Sequence, residues 1–188
     1  MCGIVGYTGP QSAANPLIEG LRRLEYRGYD SAGIALGTAN KLFVAKKAGK
    51  LANLENELNS VPEVHSGIGH TRWATHGGPT DRNAHPHLDN EGKLAVIHNG
   101  IIENYSELKA ELQSKGHQFH SDTDTESVAH LLSDLRKEHD GDLTIAMREA
   151  VKRLRGSFTL LAVHADKPEL IVGVRRNSPL VVGLGDGE

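Results

Sequence analysis

The sequence predicts an α+β fold in which antiparallel β-sheets are covered by helices, as layers of a sandwich. Predicted strands come in consecutive runs, and predicted helices cluster between those runs. A parallel α/β fold would instead interleave one helix with each strand. A chain of 188 residues is long enough to form one such domain with its own hydrophobic core.

The first half of the chain alternates short strands with two helices. A glycine-rich strand is predicted over 2–8. Asn15-Pro16 should start a helix, because Asn caps helices and Pro suits their first position. The turn at 27–30 should end that helix. The other predicted elements are strands over about 31–37, 41–47 and 66–73 and a short helix over about 50–59.

The second half begins with an irregular segment, 74–92, rich in Gly, Pro, Asn and His. A loop this long in a compact domain is more often functional than idle. The run Thr123-Asp124-Thr125-Glu126 is typical of a capping box at a helix start. The other predicted elements are strands over 94–98, 157–165, 169–175 and 180–184 and helices over about 104–115 and 142–154.

The composition argues against several classes of protein. Lys plus Arg number 21 against 24 Asp plus Glu, which is not the balance of a nucleic-acid-binding domain. No apolar run approaches the roughly 20 residues of a membrane span, and no signal-peptide pattern is visible. The single cysteine cannot form an internal disulfide. We therefore expect a cytoplasmic protein.

Cys2 is a candidate nucleophile. A thiol needs a neighbouring base or a lowered pKa to attack near neutral pH. Removal of Met1 would free the α-amine of Cys2, whose pKa of about 7.7–8.0 leaves a useful fraction neutral at pH 7. That amine could take the thiol proton, through a water molecule because the direct angle is poor. The alternative is a small buried residue at the start of a strand.

Three further features could bind a substrate, and each has a structural alternative. Asn99-Gly100 could form an oxyanion hole from a side-chain amide and a backbone N–H, or a hairpin turn. Arg72 could hold a carboxylate through two hydrogen bonds, or lie on the surface in an ion pair. Asp124 could bind an ammonium group, or only favour the dipole of the helix that it begins.

The 11 histidines permit a metal hypothesis. His85-x-His87, with His76 nearby in the sequence, has a plausible ligand spacing. No HExxH or similar carboxylate-bearing motif accompanies these residues. Hydrogen-bonded or solvated loop histidines are therefore the preferred interpretation, and we expect neither a metal nor another cofactor.

Longer motifs extend over the whole chain. They are CGIVG at 2–6, RRLEYRGYDSAG at 22–33, HTRWATHG at 70–77, NAHPH at 83–87, HNGIIEN at 98–104, SDTDTE at 121–126, RGSF at 155–158 and SPLVVGLGDGE at 178–188. The opening resembles that of class II glutamine amidotransferases, which are N-terminal-nucleophile hydrolases. The later motifs are similar to one branch of that family, the glutamine–fructose-6-phosphate aminotransferases (isomerizing).

This resemblance implies a four-layer αββα sandwich over residues 1–188 and the hydrolysis of glutamine through a covalent thioester. Cys2 would be the nucleophile and its free amine the base. Asn99 and Gly100 would form the oxyanion hole. Arg27 and Gly28 would lie beside the nucleophile.

The resemblance also implies how L-glutamine is bound. Arg72 would bind its α-carboxylate with help from Thr75 and His76, and Asp124 would bind its α-ammonium group. Trp73 would lie in a loop that closes over glutamine and, in the whole enzyme, controls the passage of ammonia.

Enzymes of this branch continue into a C-terminal sugar-phosphate isomerase part, and the whole enzyme is expected to be a homodimer. Ammonia would there convert fructose 6-phosphate into glucosamine 6-phosphate, in hexosamine biosynthesis. The isomerase residues are absent from this sequence, so we do not expect the chain alone to bind fructose 6-phosphate. A non-catalytic glutamine-sensing domain is the alternative, which would not need a free Cys2 amine.

Overall fold

The computed structural model describes residues 2–188 and contains eight β-strands in two antiparallel sheets. The strands are Gly3–Thr8 (β1), Ser31–Thr38 (β2), Lys41–Ala48 (β3), Ser66–Arg72 (β4), His87–Leu88 (β5), Leu94–Ile102 (β6), Gly156–His164 (β7) and Lys167–Arg176 (β8). One sheet has the order β1-β4-β2-β3 and the other β5-β6-β7-β8. The predicted removal of Met1 lies outside the described residues.

Five α-helices cover the outer faces of the two sheets. They are Ala14–Leu24 (α1), Leu51–Glu55 (α2), Tyr105–Ser114 (α3), Thr125–Glu138 (α4) and Leu143–Arg153 (α5). The apolar residues of α1 and α2 pack on the first sheet, and those of α3, α4 and α5 pack on the second. Within residues 2–188, no helix has both the length and the apolar character needed to cross a membrane.

A third apolar cluster lies between the two sheets and includes Ile68, Ile97 and Val163. The layers therefore run helix, sheet, sheet, helix, which is the αββα sandwich predicted above. Burial of apolar surface in all three clusters holds the layers together.

Strand alternation places several candidate residues at one end of the layer between the sheets. Successive side chains of a strand point to opposite faces. Ile4, Ile68 and Ile97 pack in the cluster between the sheets. Counting in twos from these positions reaches residues that must share the same face. They are Cys2 directly before β1, His70 and Arg72 on β4, and Asn99 on β6.

Two predicted features near the ends of the chain are wrong. Asn15 does not cap α1, since Ala13 occupies the N-cap position and makes no side-chain cap. Pro16 instead lies within the first turn, where the backbone N–H groups have no partner inside the helix, so its ring is tolerated. The strand predicted over 180–184 does not form, and Val181 and Val182 are 88% and 78% exposed.

The capping box predicted at Thr123 is also wrong, because the N-cap of α4 is Asp124. The Glu126 carboxylate reaches further back and accepts the backbone N–H groups of His120 and Ser121, both at 2.7 Å. Strand β6 runs through Asn99-Gly100 to Ile102, which excludes the hairpin-turn alternative for that pair. The segment 74–92 contains the short strand β5, which was too short to leave a periodic signal.

Candidate active site

A pocket of about 360 Å³ opens where the layer between the sheets reaches the surface. This volume lies in the range of pockets that bind small molecules. Nine of the ten residues predicted to form the site line it. They are Cys2, Arg27, Arg72, Trp73, Thr75, His76, Asn99, Gly100 and Asp124.

Gly28 is the predicted residue that does not line the pocket. A Cβ atom at this position would lie 2.7 Å from the carbonyl carbon of Arg72 and 2.9 Å from the nitrogen of Trp73. Only glycine therefore lets this turn pack against the end of β4. The following Asp30 secures the same contact, since its backbone N–H donates to the Arg72 carbonyl at 3.0 Å and its carboxylate accepts the Ala74 N–H at 2.8 Å.

The Cys2 thiol lines the pocket and lies against the backbone of Trp73. The Trp73 N–H donates to Sγ at 3.2 Å, and the thiol faces the Trp73 carbonyl oxygen at 3.6 Å. Burial raises the pKa of this thiol, and the nearby Asp30 carboxylate raises it further. The Trp73 N–H and the Arg72 guanidinium oppose this rise without cancelling it. The thiol is therefore neutral at rest and needs a base in order to attack.

Asn99 and Gly100, which belong to β6, lie next to Cys2. The Asn99 Nδ2 group donates to the Cys2 carbonyl oxygen at 3.2 Å, which holds this amide beside the nucleophile. Gly100 has a positive φ of 122°, and a Cβ there would overlap the carbonyl oxygen of Ser157. Glycine is thus required for β6 to pass β7 in this conformation. The arrangement places a side-chain amide and a backbone N–H in adjacent positions at the pocket.

Arg72 is only 3% exposed, so the surface ion-pair alternative is wrong. Its guanidinium turns into the segment that follows β4. It donates to the carbonyl oxygens of Gly78 at 3.2 Å and Gly77 at 3.1 Å, and also to that of His76. These hydrogen-bond partners are neutral, and the carboxylates of Asp30 and Asp124 act on the guanidinium only at a distance. The pocket therefore has a cation that can bind an anionic group.

Asp124 is 4% exposed and occupies the N-cap position of α4, but its side chain makes no capping hydrogen bond. Its Oδ2 atom accepts the Ile102 N–H at 2.8 Å, and Oδ1 lies 3.7 Å from Nδ1 of His98. Burial alone would raise the pKa of Asp124, but His98 and the Ile102 N–H outweigh it and hold the pKa below its ordinary value. The side chain is therefore a carboxylate, which gives the pocket an anion as well as a cation.

Four predicted residues remain. Arg27 ends the single turn of 3-10 helix at Glu25–Arg27, between α1 and β2, and Trp73, Thr75 and His76 lie in the segment after β4 at the rim of the pocket. Trp73 is 45% exposed and makes an edge-to-face contact with Tyr29, with the ring centroids 5.6 Å apart. His76 packs edge-to-face on Tyr105 at 5.4 Å, and Thr75 is exposed. These side chains border the opening and leave it accessible.

Two of the three histidines of the metal hypothesis are hydrogen-bonded to hydroxyl groups. Nε2 of His85 lies 2.8 Å from the Thr125 hydroxyl, and Nε2 of His87 lies 3.0 Å from the Thr123 hydroxyl. Among residues 2–188, no group of three or more His, Cys, Asp or Glu side chains is arranged to hold a metal ion. His76 instead packs on the ring of Tyr105.

Six residues line the pocket that were not predicted as site residues. They are His85, His98, Ile101, Thr123, Ser178 and Pro179. His98 lies beside Asn99-Gly100 in the sequence, and Thr123 lies beside Asp124, so both could have been proposed from the motifs. Ser178 and Pro179 follow β8 and are brought to the pocket by tertiary contacts. Among these contacts, the Thr159 hydroxyl donates to the Pro179 carbonyl at 3.1 Å.

Residues 70–186 match the glutamine amidotransferase domain family. The chain belongs to this family. Over its whole length it is 62% identical to the glutamine–fructose-6-phosphate aminotransferase (isomerizing) of Streptomyces coelicolor and 56% identical to that of Thermus thermophilus. The chain spans 31% of the length of each of these relatives.

Solved structures support the same assignment. The chain is 29% identical to the glutamine phosphoribosylpyrophosphate amidotransferase of Bacillus subtilis, with a TM-score of 0.71 over 87% of this chain and 35% of that one. A second structure, an allosteric regulatory enzyme of purine biosynthesis, has 32% identity and a TM-score of 0.74 over 87% of this chain and 36% of that one. The four-layer sandwich expected of N-terminal-nucleophile amidotransferases is confirmed.

Proposed function

We propose that this glutamine amidotransferase domain hydrolyses L-glutamine to glutamate and ammonia, with Cys2 as the nucleophile. The observation that carries the proposal is the arrangement of four groups around one pocket: a thiol, a side-chain amide, a cation and an anion. Glutamine requires this set, because it presents an amide to be attacked and a zwitterionic end to be held.

The α-amine of Cys2, freed by removal of Met1, is the proposed base. The raised pKa of the thiol supports this role, since a thiol that is neutral at rest must lose its proton during attack. An α-amine has a pKa of about 7.7–8.0, close to the operating pH that favours general-base catalysis. The proton would pass from Sγ to this amine through one water molecule.

The attack forms a bond between Sγ and the side-chain amide carbon of glutamine, and the carbonyl π electrons move onto oxygen. Asn99 Nδ2 and the Gly100 N–H are the proposed donors to that oxyanion. The intermediate then collapses, the carbon–nitrogen bond breaks, and the protonated amine returns its proton to the departing ammonia. Water hydrolyses the γ-glutamyl thioester by the same sequence and regenerates the thiol.

Arg72 and Asp124 are the proposed partners of the α-carboxylate and the α-ammonium group. Binding would replace the neutral carbonyl partners of the Arg72 guanidinium with a carboxylate, which forms stronger, charge-assisted hydrogen bonds. The carbonyl groups at 76–78 belong to the segment that carries Trp73, Thr75 and His76. Their release would let this segment close over glutamine, with Thr75 and His76 helping to hold the carboxylate.

In a longer protein, the ammonia would serve a second reaction. The chain spans 31% of relatives whose names join glutamine with fructose 6-phosphate. We infer that residues 1–188 act there as the glutaminase part, and that ammonia passes Trp73 to a sugar-phosphate isomerase part of the same polypeptide. The product would be glucosamine 6-phosphate, in hexosamine biosynthesis, and the whole enzyme a homodimer.

A diazoketone analogue of glutamine, 6-diazo-5-oxo-L-norleucine, tests the glutaminase proposal directly. Attack by a nucleophilic thiol expels nitrogen and leaves a stable thioether, so the intact mass should rise by one adduct located on Cys2. An excess of glutamine should slow this labelling, and Cys2→Ala should abolish it. A chain that binds glutamine without reacting would contradict the proposal and favour the glutamine-sensing alternative.

A further inference from the structure

Asn99 can serve an oxyanion hole only if its NH2 group, and not its oxygen, faces the nucleophile. The two ends of a side-chain amide are similar in shape, so their hydrogen-bond partners decide which way the group is turned. Asn99 has two such partners among the described residues. Nδ2 donates to the Cys2 carbonyl oxygen at 3.2 Å, and Oδ1 lies 3.0 Å from Nε2 of His70.

The ring of His70 must carry its hydrogen on Nε2. This nitrogen lies 2.9 Å from the His98 carbonyl oxygen and 3.0 Å from Asn99 Oδ1, and both of these atoms only accept hydrogen bonds. A neutral imidazole has one N–H group, so its hydrogen is on Nε2 and Nδ1 is bare. Nδ1 is buried and has no hydrogen-bond partner within residues 2–188, which is consistent with that assignment.

The surroundings of His70 keep it neutral and in place. The side chain is 0% exposed, and its ring packs against that of His85 at a tilt of 35°, with the centroids 4.2 Å apart. Burial lowers the pKa of His70 to about 3. The strong backbone acceptor at His98 anchors the N–H, so the ring cannot turn away from Asn99 without losing a buried hydrogen bond.

We propose that His70 is a positioning residue that fixes the Asn99 amide with its NH2 group towards Cys2. With the amide reversed, its NH2 group would face the His70 N–H and its oxygen would face the Cys2 carbonyl oxygen, which are two repulsive contacts. In the orientation present, one Nδ2 hydrogen bonds to Cys2 and the second is available for the oxyanion. This inference rests on the proposed function. It means that His70, which does not line the pocket, holds the oxyanion hole in its active arrangement before glutamine binds.

Two amide substitutions of His70 separate positioning from packing. In His70→Gln the side-chain nitrogen can reach the position of Nε2 and donate to Asn99. In His70→Asn the shorter side chain places its nitrogen near Nδ1 and cannot. Both variants put a polar amide in the same buried site, so their costs for folding are matched, and unfolding curves check this.

The expected result is a kcat for glutamine hydrolysis reduced about 10-fold to 100-fold in His70→Asn, somewhat below the loss for removal of an oxyanion donor. KM should change less than about threefold, and His70→Gln should recover most of kcat. In an Asn99→Ala background, His70→Asn should have little further effect, because the residue that it orients is gone. His164→Asn is the control, since His164 is buried at the far end of β7, opposite Leu94.

The kcat values of these variants can contradict the positioning role of His70 in several ways. Equal losses for His70→Asn and His70→Gln, or the same His70→Asn loss with and without Asn99, would overturn the positioning role. If His70→Asn kept the wild-type kcat while Asn99→Ala had a reduced kcat, the positioning role of His70 would be refuted and the oxyanion hole would stand. A wild-type kcat in Asn99→Ala would overturn the oxyanion hole of the proposed function together with this inference.

Discussion

Replacing Asp124 by Asn removes the proposed ammonium-binding charge with little disturbance of the fold. The Asp124 carboxylate accepts the Ile102 N–H at 2.8 Å, and the Asn oxygen can take over that bond. Burial favours the neutral amide over the carboxylate, whereas loss of the charge interaction with His98, whose Nδ1 lies 3.7 Å away, opposes this gain. Asp124→Asn should therefore unfold at a denaturant concentration close to that of the parent chain.

The loss of one charge-assisted hydrogen bond should weaken glutamine binding by about 1.5–3 kcal/mol, which is roughly a 10-fold to 150-fold rise in KM. The α-ammonium group does not change as the side-chain amide reacts. An interaction held equally in the ground and transition states contributes mainly to KM, so kcat should fall much less.

Two substrates make the assay specific for the ammonium contact. Initial rates of ammonia release are measured with L-glutamine and with glutaramate, which lacks the α-amino group. Asp124→Asn should raise KM for glutamine but leave KM for glutaramate nearly unchanged. Asp122→Asn is the matched control, because the Asp122 side chain is 51% exposed and pairs with Arg82 at the surface. An unchanged KM for glutamine, or an equal rise for both substrates, would refute the proposed contact.

Three further outcomes follow from the same structure. Asn99→Ala should lower kcat about 10²-fold to 10³-fold through loss of one oxyanion donor, and a loss confined to KM in steady-state assays would place Asn99 in ground-state binding instead. Burial lowers the folded-state pKa of His70 and His87 to about 3, below the unfolded value near 6.5, so the unfolded chain binds more protons as the pH falls below 6.5. Above pH 6.5 these two histidines should not lower the free energy of unfolding. Below pH 6.5 each should lower it by up to about 1.4 kcal/mol per pH unit. Equal urea midpoints at pH 7 and pH 5 would contradict the burial of these histidines in the neutral form. Calorimetry should detect no saturable binding of fructose 6-phosphate to this chain, and tight binding would show that residues 1–188 contain a sugar-phosphate site.

Much of the site could be predicted because strand alternation and motif position agree. Cys2, Arg72 and Asn99 each continue the inward-facing set of a strand whose apolar members are visible in the sequence. That pattern leads to one end of the layer between the sheets. The layered fold itself was predictable from the grouping of strands and helices.

The features that could not be predicted depend on contacts between distant segments. Thr123 resembles a helix cap, but its hydroxyl contacts His87, so tertiary contacts override the local capping signal. His70 acquires its role only when the two sheets pack face to face and bring it against Asn99. Val181 and Val182 have a strand-like composition, yet they pair with no strand among the described residues.

Ammonia release from glutamine, measured on preparations whose N-terminus is known from intact mass, tests the central claim most directly. The chain that begins at Cys2 should release ammonia and glutamate in equal amounts. The Cys2→Ala variant should release none above background. A chain that retains Met1 should be nearly inactive, because its Cys2 nitrogen is an amide without useful basicity and few of its thiols are ionised at pH 7. Full activity in a sample that retains Met1, or in Cys2→Ala, would contradict the proposed nucleophile and base.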